Sequence, residues 1–242
     1  MSTENTMANR TVLVTGGNRG IGRALVEEAL RRGAKRVYAG MRQPLAHPDG
    51  RVTTLPLDVT DAAQIRAAAE HVDALDILVN NAGVAAFDDL GDRAVLELHL
   101  AVNLLGPHAI TQAFLPQLTR SRGAVVNVLS VAALASLPVM PAYSISKAAA
   151  FSLTQSLRAL LAPRGVQVHA VLTGPVDTDM TRDLSLPKAA PASVAQAIFD
   201  GVAGGAEDIF PDPMSATLAS SWATGAVKTL ERDNAALLGA AG

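Results

Sequence analysis

The chain has 242 residues, a formal charge of −2 and 49% hydrophobic content, enough to bury a substantial core and too apolar for a disordered polymer. A pI near 6.2 removes the electrostatic reason to expect nucleic acid or an anionic membrane surface as a partner. There is no cysteine, which excludes disulfides, thiolate catalysis and Cys-ligated zinc, and no metal site is expected.

Residues 1–9 are polar and carry no apolar run of the kind that forms a secretory signal. They are expected to be a flexible tail ahead of one domain over 10–242. No uncharged apolar stretch approaches the roughly 20 residues that span a bilayer, so a soluble, cytoplasmic protein is expected. Strands are predicted at 11–15, 36–40, 52–56, 77–80, 124–129, 166–172 and 208–210. Several are continuous apolar runs, as in Ile77-Leu78-Val79 and Val125-Val126, the pattern of parallel strands covered on both faces. Helices are predicted between them at 20–32, 61–71, 92–120, 143–162 and 192–202. This alternation predicts βαβ units and an α/β fold. The expected architecture is a Rossmann-like, doubly wound parallel sheet of about seven strands with helices on both faces. The Pro-bounded stretch 179–191 reads as a mobile connection, and one further short helix is expected around 215–230.

The first predicted strand runs into Thr15-Gly16-Gly17-Asn18-Arg19-Gly20-Ile21-Gly22 and then a helix. Glycines at such a turn let the backbone bring a pyrophosphate against a helix N-terminus, where free N–H groups and the dipole favour anions. A glycine-rich turn by itself is often only a turn; its place after strand one and before helix one is what points to a dinucleotide. An NAD site usually carries Asp or Glu about 20 residues beyond the loop, on the ribose 2′-OH. Here the second strand ends Ala39-Gly40-Met41-Arg42, with no acid before Asp49. Arg42 and Arg19 suit a 2′-phosphate instead, since guanidinium matches phosphate with two parallel bonds. The competing reading is a pair of solvated arginines, but the missing acid favours NADP(H).

Tyr143 and Lys147 stand four apart at the start of a predicted helix, so both project from one face. A cation near a phenol lowers its pKa and makes it a better proton donor and acceptor near neutrality. An ordinary surface pair would have the same spacing. Ser130 ends the fifth predicted strand, at the carboxyl edge where open α/β sheets bind ligands. It suits a hydrogen bond to a substrate oxygen, or a turn. Asn103 lies in an apolar helical run, and its amide must be satisfied by a structural bond or by water.

With these residues in place, the chain resembles the short-chain dehydrogenase/reductase family over nearly its whole length. The resemblance rests on the Thr15–Gly22 loop, Asp58-Val59, Asn80-Asn81-Ala82-Gly83, Asn103, Ser130, Tyr143, Lys147 and Gly174-Pro175-Val176-Asp177-Thr178. Ser130 stands 13 residues before Tyr143, the family's common spacing. The resemblance implies a role for each. Tyr143 would be the general acid in reduction and the base in oxidation. Lys147 would lower the tyrosine pKa and hold the nicotinamide ribose. Ser130 would steady the carbonyl, and Asn103 would hold a water relaying protons through Lys147. Gly16, Asn18, Arg19, Gly20, Ile21 and Gly22 would cradle the phosphates. Asp58 and Val59 would meet the adenine, Asn81, Ala82 and Gly83 the adenosine side, and Gly174, Val176 and Thr178 the carboxamide of the nicotinamide. Arg42 sits where NADP-preferring relatives carry a basic residue. The family's usual Pro-Gly after the sixth strand is Thr173-Gly174 here.

The expected reaction is NADPH-dependent reduction of a ketone or aldehyde, as in a carbonyl reductase. The segments 85–87 and 131–140 are mainly apolar and favour an uncharged substrate, although Arg182 and Lys188 in the later loop count against this. Oxidation of an alcohol on the same residues is the alternative. A non-catalytic NADP(H) sensor would not need a tuned acid, and an enoyl reductase would space Tyr and Lys more widely. Apolar surface on the Tyr143 helix, beyond what one sheet contact requires, suggests a homodimer or homotetramer.

Overall fold

Seven parallel strands form one sheet in the order β3-β2-β1-β4-β5-β6-β7. They are β1 (Thr11–Thr15), β2 (Arg36–Met41), β3 (Val52–Pro56), β4 (Ile77–Asn80), β5 (Ala124–Val128), β6 (Gln167–Val171) and β7 (Asp208–Ile209). The computed structural model describes residues 7–240. The strand order reverses between β1 and β4, and at such a switch point the loops leaving the carboxyl edge part to form a crevice.

Side-chain alternation along the strands builds two layers. Val12 and Val14 face one side, against Leu25, Val26 and Ala29 of α1 (Gly20–Arg31) and Ile198 and Phe199 of α6 (Pro191–Ala203). Leu13, Leu78 and Val125 face the other. There they meet Ile65 of α2 (Ala62–His71), Phe114 and Leu118 of α4 (Gly106–Ser121) and Leu157 of α5 (Pro141–Leu161). Each such aliphatic or phenyl side chain contributes about 1.5–3 kcal/mol by leaving water. With so few aromatics, the sheet is held by many medium-sized side chains.

Three differences from the sequence reading have physical causes. The single helix expected over 92–120 is α3 (Arg93–Leu100), a π-turn (Ala101–Leu105) and α4 in unbroken succession. Pro107, which has no N–H to offer the carbonyl four residues back, directly follows this turn, and π-turns of this sort gather at functional sites. The one helix expected near the C-terminus is two, α7 (Pro213–Ala223) and α8 (Ala226–Ala240), parted at Thr224-Gly225. Of the tail expected over 1–9, residues 1–6 lie outside the described residues, whereas Met7 is buried in the α1 layer and Asn9 donates its N–H to Gly33. No described helix is long and apolar enough to cross a membrane.

An interior charge cluster docks α8. Lys228 Nζ lies 2.7 Å from Asp208 and 2.9 Å from both Glu207 and Glu231. Arg158 of α5 pairs with Asp208 and Glu231 from the other side. Removing one partner of a buried set leaves uncompensated charge. Lys228→Met is therefore expected to cost about 3 kcal/mol in urea unfolding at pH 7, with α8 losing amide-exchange protection before the sheet does.

Candidate active site

The glycine loop is shaped by close approach. Gly16 and Gly20 have φ of +68° and +52°, a region that favours glycine. A Cβ on Gly22 would stand 2.1 Å from the Gly16 carbonyl oxygen, so no other residue fits there. Helix α1 then starts with no side-chain cap and no acidic residue in its first turn. Its uncapped N–H groups and positive dipole end face the crevice, which fits a diphosphate. Asn18 and Arg19 are exposed beside this opening and Ile21 is partly buried behind it.

Thr15 ties the loop to β4. Its hydroxyl donates to Val79 O and accepts the N–H groups of Asn81 and Ala82, both at 3.0 Å. The Asn81 amide returns to Thr15 O at 2.9 Å and Gly16 O at 3.3 Å. Gly83 continues toward the reacting end, where a Cβ would meet Asn103 Oδ1 at 3.2 Å and Lys147 Nζ at 3.8 Å. Thr178 closes the opposite wall, its methyl 3.1 Å from the space a Gly20 Cβ would fill. Val176 is buried and bridged to Ala189, so the 179–191 connection returns to pair beside the site. The Gly174 N–H is taken by Asp212 at 2.7 Å, and Thr173, in place of the family's proline, reaches Leu129 O with its hydroxyl. Asp58 accepts from Thr60 N–H and hydroxyl through one carboxylate oxygen, while Val59 packs on Gly106. Arg42 is exposed beyond β2 with no ion-pair partner among the described residues. Arg19 stands 3.9 Å from Asp179.

At the reacting end, Tyr143 and Lys147 share a face of α5 as their spacing requires, the ammonium 5.7 Å from the phenol ring centre. Lys147 is buried and donates to Val128 O, the last residue of β5, at 2.9 Å. Ser130 lies two residues beyond, its hydroxyl accepting the Ala132 N–H. Burial pushes the Tyr143 phenol above its ordinary value, and the Ser130 hydroxyl beside it opposes that rise. The sequence reading had the ammonium lowering the phenol. In this structure burial governs both groups, because it brings Lys147 down to about 8.

Asn103 sits in the π-turn and spends its side chain on structure. Oδ1 accepts Val84 N–H at 3.0 Å, and Nδ2 donates to Val84 O and to the Ser146 hydroxyl, both at 2.9 Å. It thus clamps the loop after β4 to α5. A small cavity of about 10 Å³ lies between Asn103, Lys147, Asn80 and Asn127, the size of one water.

The sequence reading assigned no role to Asp88, Asp212 or Ser146. Helix α5 has no side-chain cap of its own at Met140. Asp88, from the loop after β4, accepts the Ala142 N–H at 3.2 Å and caps the tyrosine helix from outside. Asp212 caps α7 while holding Gly174. Both bonds join segments tens of residues apart, and neither leaves a local pattern. Ser146 was visible only as a small residue between Tyr143 and Lys147.

Comparisons agree with this geometry. Residues 10–189 match the family described as short chain dehydrogenase. A solved short chain dehydrogenase from Burkholderia cenocepacia, in complex with NADP, is 36% identical, with a TM-score of 0.84 over 90% of this chain and 94% of that one. Short-chain dehydrogenase PC-15 of Penicillium crustosum is 43% identical over 189 residues, 71% of this chain and 68% of the relative. Human 17-beta-hydroxysteroid dehydrogenase type 1 is 37% identical over 192 residues, 71% of this chain and 58% of the relative.

The burial of Lys147 has a consequence for stability. Its pKa falls from 10.5 to about 8 on folding. Between those values the unfolded chain holds the extra proton, so this group makes stability rise with pH across that window. The penalty below pH 8 is about 3 kcal/mol. Urea unfolding of the cofactor-free protein is expected to show this rise, and Lys147→Met is expected to lose it. The methionine variant should be at least as stable as the parent at pH 7. An identical pH dependence in both proteins would place the ammonium in water.

A crevice at the β1–β4 switch point, floored by an uncapped helix and walled by a phenol and a buried ammonium, thus agrees with sequence and structural likeness alike: the chain belongs to the short-chain dehydrogenase/reductase family, oxidoreductases that act on alcohols or carbonyls with NAD(P)(H).

Proposed function

We propose that the protein reduces an apolar ketone or aldehyde to an alcohol with NADPH, and that Tyr143 supplies the proton. The observation that carries this reading is the phenol itself, held protonated by burial beside a serine hydroxyl and a lysine ammonium. A carbonyl accepting hydride becomes an alkoxide, and a protonated phenol within reach is the group it requires. The bound cofactor supplies the hydride. Ser130 orients the carbonyl oxygen, and Tyr143 transfers its proton as negative charge grows there. Lys147 holds positive charge nearby and hydrogen-bonds the ribose. The Asn103 carbonyl and Lys147 hold one water in the cavity between them, through which the tyrosine proton is restored. Oxidation of an alcohol would use the same groups in reverse, starting from a phenolate that burial disfavours.

The choice of NADP(H) is supported by Arg42, exposed just beyond β2 with no acidic neighbour in sequence and no ionic partner among the described residues. The NADP-bound Burkholderia relative agrees with it. Gly16 to Gly22, Asp58, Val59, Asn81 to Gly83, Gly174, Val176 and Thr178 complete the proposed cofactor site. An apolar substrate is supported by the exposed Phe87, Leu137, Val139, Met180 and Leu186 on the loops after β4, β5 and β6. Arg182 and Lys188 do not oppose it. Arg182 pairs with Asp179, and Lys188 is bonded to the Arg182 carbonyl. The hydroxysteroid relative is in keeping with a lipophilic skeleton. Exposed Leu98, Leu105, Ile145 and Leu160 on α3, the π-turn and α5 support self-association, and light scattering is expected to return a multiple of 25.0 kDa.

Two substitutions test the reading. Tyr143→Phe is expected to lower kcat for ketone reduction by about 10²–10⁴-fold, while NADPH still binds with unchanged fluorescence enhancement. Turnover at the parent rate would remove the mechanism. Arg42→Asp is expected to weaken NADPH binding by about 10–100-fold and to leave NADH nearly unaffected. Equal effects on both cofactors would show that Arg42 does not meet the 2′-phosphate.

A further inference from the structure

Beneath the site runs a ladder of buried polar side chains whose direction is fixed at one end. The Thr154 hydroxyl donates to the Ala150 carbonyl of its own helix at 2.7 Å, so its oxygen can only accept from Asn127, whose Nδ2 lies at 2.9 Å. The Asn127 amide is thereby oriented with Oδ1 toward β4, where it accepts from Asn80 Nδ2 at 2.8 Å. Asn80 Nδ2 also reaches the Thr111 hydroxyl at 3.1 Å. These bonds leave Asn80 Oδ1 turned away from the ladder. It is buried and has no donor among the described residues. An orphaned amide oxygen of this kind costs about 1–3 kcal/mol unless something donates to it.

The cavity of about 10 Å³ supplies the place for that donor. Three asparagines line it, with Lys147, Pro107 and the end of β5. Asn103 Oδ1 is occupied by Val84 N–H and Asn127 Oδ1 by Asn80, so Asn80 Oδ1 is the side-chain acceptor left unmatched. Across the space, Lys147 Nζ uses one hydrogen on Val128 O and has two more to give. The Asn103 carbonyl lacks its regular helical donor because position 107 is proline. One water there would find two acceptors and one donor, the two to four partners that a buried water requires.

We propose that Asn80 is a positioning residue for proton delivery, its Oδ1 fixing the relay water against Lys147. The inference rests on the Tyr143 reading above. In each turnover the phenol gives one proton to the product alkoxide, and one proton taken up from solvent returns to it by way of this water and Lys147. The protein ends unchanged. The ladder from Ala150 through Thr154 and Asn127 sets which end of the Asn80 amide faces the water, so the water's own hydrogens are oriented before the reaction begins.

The test uses the full chain with NADPH. Asn80→Leu, similar in size and without an acceptor, is expected to lower kcat about ten-fold with KM for NADPH unchanged. Its solvent deuterium isotope effect on kcat should rise, and the isotope effect from 4-deuterated NADPH should fall toward unity as proton return becomes limiting. Asn80→Asp, which keeps an oxygen toward the cavity, should bring both isotope effects back toward parent values. A leucine variant with parental isotope effects overturns the proposal, because a purely structural loss would leave them unmoved. Should Asn80→Leu fail to fold, a high-resolution crystal structure of the parent holoenzyme decides. A water within about 3.2 Å of both Asn80 Oδ1 and Lys147 Nζ is expected, and a dry cavity refutes the idea. Failure of the underlying reading would appear separately, as full turnover in Tyr143→Phe.

Discussion

Keeping the Lys147 ammonium out of water is the demand around which the rest of the site is organised. A primary ammonium in the interior loses most of its hydration, and its pKa falls accordingly to about 8. The site offsets part of this with the Val128 carbonyl at the end of β5. The same enclosure raises the phenol of Tyr143. One desolvated space therefore moves the two values apart, the phenol upward and the ammonium downward, because burial favours the neutral form of each. A cation and an acid so placed are costly to fold and useful to a reaction that creates negative charge on oxygen.

The position of that space follows from strand topology. Because β1 pairs with β2 on one side and β4 on the other, the loops after β1 and β4 leave the same edge in divergent directions. The Thr15 hydroxyl closes the gap between them with three bonds, giving the glycine loop a rigid wall to approach. Asn103 and Asp88 then fasten the loop after β4 to α5 at two points, one through Ser146 and one at the helix N-terminus. Tyr143 lies between those fastenings. Its orientation depends on long-range bonds more than on the local helix, which has no cap of its own.

Beyond the stretch that matches the family, residues 190–240 add α6, β7, α7 and α8. Phe151 of α5 packs on Trp222 of α7, and the Trp222 indole N–H reaches Asp208. The inner face of α8 presents Lys228 and Glu231 to charges from α5 and β7. Helix α8 is thus held by charge pairs in a protected space, whereas α6 joins the sheet by apolar packing.

Much of this was legible in the one-dimensional pattern. Short continuous apolar runs marked several of the parallel strands, because both faces of such a strand are covered. The glycine spacing announced a turn that only glycine can make, and a four-residue separation placed phenol and ammonium together because a helix repeats every 3.6 residues. These are local rules. The outside cap from Asp88 and the orientation of the Asn80 amide depend on partners 31 to 54 residues away, and no local rule reports them. The charge states followed the same division. Sequence put a cation beside a phenol and implied a lowered value, but only the folded chain decided that burial, not the neighbouring charge, would govern both groups.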